Sequence, residues 1–399
     1  MSETATRTWT KPTLTKAGPL EGVVVVDLSR VLAGPYCTMV LADLGARVIK
    51  VETPERGDDS RYFGPFVGDK SAYYMSLNCG KESIALDLKD SRDRETFEAL
   101  LQQADVLVEN FRPGAMDRLG YAWEDLHQRY PRLIYAGVSG FGRTGPYAKR
   151  PAYDMVVQAM GGIMSLTGYP DGPPTRVGTS VGDITAGLFA AVGINAALYD
   201  RERSGAGVLV DVAMLDCQVA ILENAIARFA ATGEVPHALG ARHPSITPFD
   251  AFAAEDGFMI VAAGNDALFN KLCEVVGRPD LGANPLFASN TQRTEHHAAL
   301  KVELEIQFAR RPIAEWLRVL EDAGIPCGPI NTVDKVLADP QVLARNMVVT
   351  VDDPTAGTLQ MAGSPIKMPA FPAPSTRRPA PDLDQDRKRI LDDLARRRR

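Results

Sequence analysis

The chain has 399 residues, 45% apolar and 24% charged, with a formal net charge of −6. This composition suits a soluble globular protein of two domains, or one large domain with a small one inserted, and exerts no global pull toward nucleic acid. No apolar run reaches the roughly 20 residues of a membrane span, and residues 1–17 lack a signal-peptide core and read as a disordered lead-in, so neither membrane nor nucleic acid is expected as a partner and a cytoplasmic location is.

Val23–Leu28 (VVVVDL) is a continuous β-branched run, the pattern of a strand covered on both faces. The turn Ser29–Pro35 leads into an apolar helix, Tyr36–Leu44, ended by Gly45, and Arg47–Glu52 is the next strand. A βαβ unit of this kind implies a parallel sheet. Ala33-Gly34-Pro35 stands where a GxGxxG fingerprint would be, so a nicotinamide dinucleotide site is poorly supported.

The alternation continues through strand Ser83–Leu88, helix Asp90–Gln103, strand Asp105–Glu109, the mostly helical Ala115–Tyr130 and strand Leu133–Ser139. This predicts a doubly wound α/β sheet. Ligands of such sheets gather beyond the carboxyl ends of the strands, which selects Val31–Gly34, Glu52–Asp58, Leu86–Lys89 and Asn110–Gly114 as the rim of a site. Arg56, Lys89, Arg112 and Arg118 lie on that rim, with Lys149 and Arg150 near it in sequence. Cations recurring there suit a phosphate-bearing ligand; solvated surface charge is the alternative for each one alone.

Tyr153–Ser165 reads as a buried helix with a glycine pair for close packing. Val177–Asp200 (VGTSVGDITAGLFAAVGINAALYD) then sets Asp183 among glycines and hydroxyl residues before about four turns of nearly uncharged helix. Taken alone, Asp183 reads first as an N-cap, with a catalytic acid as the rarer alternative. A strand at Val208–Val212 and a long helix, Leu215–Ala231, follow.

Composition shifts at Gly233–Pro248. Beyond it, strand Gly257–Ala263 and helices near Ala267–Val276, Thr294–Ala309 and Pro312–Ala323 form a smaller α+β unit, closed by Cys327-Gly328-Pro329. A short helix at Thr332–Ala338, a Pro-rich extended stretch at Ser364–Pro381 and a charged helix at Asp384–Arg397 complete the chain; the Arg396–Arg399 run reads as a solvated tail. Five scattered cysteines and five histidines show neither disulfide nor metal-ligand spacing, so a reducing compartment and no metal are expected. Cys79 and Cys327 have no histidine beside them in sequence, which favours small buried side chains over nucleophiles.

Five stretches carry a family likeness: Gly18–Glu52, Asn78–Lys89 (NCGKESIALDLK), Val108–Gly120 (VENFRPGAMDRLG), Val181–Leu198 and Gly324–Ile330 (GIPCGPI). In this order they resemble the class III CoA-transferases, the family of formyl-CoA transferase. The resemblance implies a Rossmann-like large domain built from both ends of the chain (18–232 and 331–399), a linker and small α+β domain at 233–330, and an interlaced homodimer. It implies coenzyme A or acyl-CoA as substrate, with neither metal nor NAD, and a catalytic aspartate at Asp183. The CoA contacts it implies fall at Leu32 and Ala33, at Thr53, and at Leu86, Asp87, Leu88 and Lys89. They continue at Asn110, Phe111 and Arg112, at Arg118, and at Arg150, Pro151, Ala152 and Tyr153. These are largely the strand ends that the sheet argument selects.

An aspartate in this setting can attack a thioester carbonyl and carry CoA through mixed-anhydride and aspartyl-CoA thioester stages, with backbone N–H groups near Ile184 as candidate oxyanion donors. The chain departs from formyl-CoA transferase in three places: Leu32 stands for a glutamine, Thr53 for an adenosine-side arginine, and Ala241–Pro248 for a longer glycine-rich loop. These departures argue against formyl or oxalyl transfer and toward larger dicarboxylic or branched acyl groups, with Arg242, His243 and Ser245 as candidate substrate-binding residues. Arg242 suits a second carboxylate, and a structural loop arginine is the alternative. The related α-methylacyl-CoA racemases carry a histidine where this chain has Tyr153, which favours transfer over racemisation. A non-catalytic CoA-binding module is the reading from another class.

Overall fold

The computed structural model describes residues 18–397; the lead-in expected at residues 1–17 lies outside them. Six parallel strands form the main sheet: β1 (Val24–Asp27), β2 (Arg47–Glu52), β3 (Glu82–Ala85), β4 (Val106–Glu109), β5 (Ile134–Ser139) and β6 (Leu209–Ala213). Their order is β3-β2-β1-β4-β5-β6, the doubly wound arrangement expected of the alternating elements. Direction of winding reverses between β1 and β4, and an open α/β sheet leaves its ligand crevice at such a point.

Every residue of β1, β3 and β4 is buried, which suits the β-branched run of β1. Side chains alternate between two cores, as strand pleating requires. Val25, Val48, Val106 and Val108 pack with helices α1 (Ala33–Asp43) and, later in the chain, α3 (Val181–Ser204). Val26, Ile49, Ile84 and Leu107 pack on the other face with Phe97 and Leu100 of helix Ser91–Leu101 and with Ile390 and Leu394 of the last helix, Arg387–Arg397. The returning segment also covers the edge strand: Asp386 and Asp384 accept the N–H groups of Ser83 and Ala85 at 2.9 and 2.8 Å.

Several helices differ from expectation; Thr294–Ala309, for one, falls in two pieces, Asn290–Glu295 and His297–Phe308. Helix α1 begins at Ala33 instead of Tyr36, because proline is tolerated in a first turn. Tyr153–Ser165 is two pieces, α2 (Asp154–Met160) and Ile163–Leu166, parted at Gly162 with φ +87°. The stretch is also not wholly buried: Met155, Val156 and Met160 are exposed. Leu215–Ala231 likewise divides into α4 (Met214–Ile221) and Glu223–Thr232. In length and composition α3 could cross a membrane; Ala186, Ala190, Ala191 and Ile194 bury one face in the sheet core.

Contacts divide the chain into two compact units. Among the described residues, one comprises 18–161, Gly178–Glu223 and 340–397; the other comprises Gly162–Val177 and Asn224–Asp339. The span 233–330 falls inside the second unit. That unit holds a three-stranded antiparallel sheet of Cys327–Pro329, Gly257–Ala262 and Phe249–Ala254, the last strand not anticipated from the sequence. Phe252, Met259, Phe269, Phe308 and Trp316 fill its core, and the Trp316 indole N–H donates to the Phe308 carbonyl at 2.8 Å.

Candidate active site

The turn from β1 into α1 is held by buried charge. Asp27 ends β1 and accepts hydrogen bonds from the Ser29 N–H at 2.9 Å, the Thr38 hydroxyl at 2.6 Å and the Lys81 ammonium at 3.1 Å. Lys81 also donates to the Pro35 carbonyl at 3.1 Å and to Asn78 Oδ1 at 2.9 Å. Burial pulls the Lys81 ammonium down to about 8 against the opposing charge of Asp27. Beside this cluster Lys50 pairs with Asp58 at 2.9 Å, both fully buried. Burial by itself would raise the Asp58 carboxyl; the Lys50 charge and its hydrogen bonds outweigh that and hold it well below the usual range.

These grips shape the backbone at the sheet's switch point. Val31 sits at φ +67°, a left-handed conformation that a β-branched residue adopts only where its surroundings impose it, at a cost of about 1–3 kcal/mol. The next residues, Leu32 and Ala33, open α1, and among the described residues their N–H groups and that of Gly34 meet no acceptor. They are the unsatisfied donors expected at a helix start.

Asp183 comes to this turn through a close helix crossing. A Cβ at Gly187 would lie 2.7 Å from the Ala33 carbonyl oxygen and 3.2 Å from the Cys37 nitrogen, so only glycine lets α3 approach α1 so closely. One turn before Gly187, Asp183 lines a cavity of about 280 Å³ with Val31, Leu32, Ala33, Asn110, Arg112 and Tyr153. Arg150, Pro151, Ala152 and Phe111 complete the family-implied part of this wall. No hydrogen-bond donor among the described residues reaches the Asp183 carboxylate. Burial, with the charge of nearby Asp154 added, pushes its carboxyl up to about 7 from an ordinary 3.8.

The cap reading of Asp183 is overturned. Ser180 is the N-cap residue of α3 and makes no side-chain cap; Asp183 lies three residues further on. The Ile184 N–H is not an available oxyanion donor, because it donates to the Ser180 carbonyl at 3.0 Å. Unpaired N–H groups occur instead at Leu32 and Ala33, across the sheet's switch point.

A second cavity of about 220 Å³, with mostly apolar walls, lies beyond the ends of β1, β2 and β3. Thr53, Leu86, Asp87, Leu88 and Lys89 line it, and Arg30 and Phe111 line both cavities. Two cavities meeting at a cation suit an elongated ligand with charge near its middle. Arg118 lines neither; it is exposed on the short helix Ala115–Arg118. Arg242, His243 and Ser245 belong to the second unit and line neither cavity. There His243 Nδ1 accepts the Ser245 N–H at 3.1 Å and its ring stacks on Phe249 at 5.4 Å, while the Arg242 Nε is buried and unpartnered among the described residues.

Several wall residues escaped the sequence reading. Arg30 directly precedes the selected turn, and its guanidinium lies 5.2 Å from the Phe111 ring. Val138, Ser139 and Gly140 at the end of β5, and Met214 after β6, also line the first cavity; strand-end position was the signal that could have found them. Tyr73 has Asp183 close enough to raise its phenol, after burial, to about 12. Cys79 is pushed up to about 11 by burial, which argues against a thiolate nucleophile there.

A family model described as CoA-transferase family III matches residues 20–387. The chain is 49% identical over 369 residues to the acetyl-CoA:oxalate CoA-transferase of Acetobacter aceti, covering 92% of this chain and 94% of that one. It is 39% identical over 379 residues to the succinyl-CoA:glutarate CoA-transferase of Homo sapiens, covering 95% and 86%. The crystal structure of a CAIB/BAIF family protein from Brucella suis matches with a TM-score of 0.84 at 39% identity, over 95% of this chain and 100% of that one. Agreement in sequence and in fold, reaching from the first strand to the last helix, places the chain in CoA-transferase family III.

Proposed function

We propose that the protein moves CoA from an acyl-CoA to a dicarboxylic acid through covalent intermediates on Asp183. The observation that carries this reading is the state of that carboxylate: mostly buried, without a hydrogen-bond donor among the described residues, raised to about 7, and lining one cavity with residues whose N–H groups are unpaired. A carboxylate with neither solvation nor a partner is a stronger nucleophile than one in water.

The chemistry runs in four balanced steps. An Asp183 oxygen attacks the donor thioester carbonyl, and the C–S bond breaks to give a mixed anhydride and CoA thiolate. The thiolate attacks the aspartyl carbonyl of that anhydride, forming an aspartyl-CoA thioester and releasing the donor acid. The acceptor carboxylate attacks this thioester, regenerating the thiolate and a second anhydride. Attack on the acceptor's carbonyl then forms the new acyl-CoA and frees Asp183. Each attack puts negative charge on oxygen, and the Leu32 and Ala33 N–H groups at the start of α1 are the donors available to it.

The second cavity, with its apolar lining, suits the adenine ring, and Arg30 and Lys89 suit the phosphates. Relatives named for oxalate and glutarate support dicarboxylic acceptors. The relative at 49% identity keeps oxalate among them, against the expectation drawn from Leu32 and the short Ala241–Pro248 loop. Those names give no support to racemisation. Exposed apolar side chains on α3, with Val192 66% and Tyr199 70% exposed beside Leu188 and Phe189, support a homodimer. The cysteines are all free, which supports a reducing, cytoplasmic setting.

The test is a matrix of acyl-CoA donors against mono- and dicarboxylic acceptors, read by mass spectrometry of the CoA esters. New esters of dicarboxylic acids at stoichiometric loss of donor are expected. Hydrolysis of donors without a new ester would contradict the reading.

A further inference from the structure

Lys50 and Asp58 form a fully buried ion pair at 2.9 Å, and neither lines the cavity that holds Asp183. Their hydrogen bonds nevertheless end on that cavity's wall. Asp58 accepts the Val31 N–H at 3.0 Å, while Lys50 donates to the Ser29 carbonyl at 2.7 Å, so one ion pair grips the chain on both sides of Arg30. From the facing strand end, Asn110 accepts the Arg30 N–H at 2.8 Å and donates to the Arg30 carbonyl at 2.7 Å. Asp58 itself is fixed by the Ser60 N–H and hydroxyl at 2.9 and 2.8 Å and, through its own N–H, by Glu52 at 3.0 Å.

The residue under this grip is the one in an unfavourable conformation. Val31 has φ +67°, which valine leaves when nothing holds it there. Rotation at Val31 would redirect the peptides that follow, and those carry the unpaired N–H groups of Leu32 and Ala33. An ion pair suits such a hold because each charge, once buried, needs the other in place.

We propose that the Asp58–Lys50 pair is a positioning device: it keeps Val31 left-handed and thereby aims the Leu32 and Ala33 N–H groups at the reacting carbonyl beside Asp183. The inference rests on the CoA-transferase reading of the cavity. Asp58 also lines the second cavity and Lys50 lines neither; the pair reaches the carbonyl beside Asp183 only through the turn.

The test uses the full-length protein with Lys50→Met/Asp58→Asn, which removes both charges together and leaves neither alone in the interior. A fall in kcat of about 10- to 100-fold is expected, with KM for acyl-CoA changed less than about threefold. Adding Val31→Gly should recover most of that loss, because glycine takes positive φ without being held there. Crystal structures should show position 31 leaving the left-handed region in the double variant and returning to it in the triple. Should the double variant not fold, Lys50→Gln/Asp58→Asn, which also leaves neither charge alone and keeps both side chains close to their size, carries the same readouts. A merely structural ion pair would lower the melting temperature, leave kcat per folded molecule unchanged and gain nothing from Val31→Gly. That pattern, or position 31 keeping its φ without the pair, overturns the proposal. Absence of transferase turnover in the wild-type protein would count against the functional reading instead, and the crystallographic φ would still decide the hold on Val31.

Discussion

Asp154 and Asp183 are tied together through the first turn of α3: the Asp154 carboxylate accepts the Gly182 N–H at 2.8 Å, one residue before Asp183. The other Asp154 oxygen accepts from the Gln158 amide at 2.7 Å. Asp154 therefore anchors the start of α3 by hydrogen bonding and acts on Asp183 by charge. Burial first, and that charge second, keep the Asp183 carboxyl near 7.

In the proposed mechanism the nucleophile is the ionised Asp183 carboxylate, so kcat/KM should rise with pH through about 7 and fall roughly tenfold per unit below it. Asp154→Asn removes the like charge while keeping an acceptor for Gly182, and its acid limb should move to lower pH. Rate profiles of both proteins between pH 5 and 9, with one donor and one acceptor at saturation of neither, check this. An unmoved limb in Asp154→Asn would remove Asp154 from the account of Asp183.

The same shift predicts a cost in stability. A raised acid binds its proton more tightly in the folded state, so stability is lost as pH rises from the unfolded value of 3.8 through about 7 and stays lost above it. Asp183→Asn avoids that loss. It should be stabilising above pH 7 by roughly 2–4 kcal/mol and close to neutral at pH 4, read as denaturant midpoints at the two pH values. Equal effects at both would show that burial of charge is not what the site stores.

Arg30 joins the two cavities with an exposed guanidinium whose nearest carboxylate, on Asp59, is 3.4 Å away. Arg30→Ala should raise KM for acyl-CoA about tenfold, with kcat within about twofold, because the interaction is the same in ground and transition states. Steady-state kinetics with a full CoA ester and with a pantetheine ester separate the roles. The truncated ester should not feel the substitution; an equal loss for both would place Arg30 at the reacting end.

Much of the site was legible because strand ends in a doubly wound sheet are ligand positions. The β-branched run at Val23–Leu28 marked β1, and Asp183 stood out as a lone acid before an uncharged helix. What escaped was set by contacts distant in sequence. Nothing local to Val31 announces a left-handed valine; the carboxylate that accepts its N–H, Asp58, is 27 residues away. The phase of α3 was misjudged because Gly182 bonds to Asp154 and the helix already begins at Val181, leaving Asp183 inside its first turn. The strands Val348–Asp353 and Gly357–Ala362 were missed because their partly exposed, mixed residues lack the apolar runs of the main sheet. Arg118 belonged to a matched motif, yet the short helix carrying it leaves its side chain outside both cavities.

The central claim is that the acyl and CoA groups pass through the Asp183 carboxyl. Incubating the protein with an acyl-CoA and hydroxylamine, then mapping peptides by mass spectrometry, tests it directly. A hydroxamate on Asp183, formed only when acyl-CoA is present and absent from Asp183→Asn, is the result predicted. Full transferase turnover with no adduct at Asp183, or turnover persisting in Asp183→Asn, would contradict it.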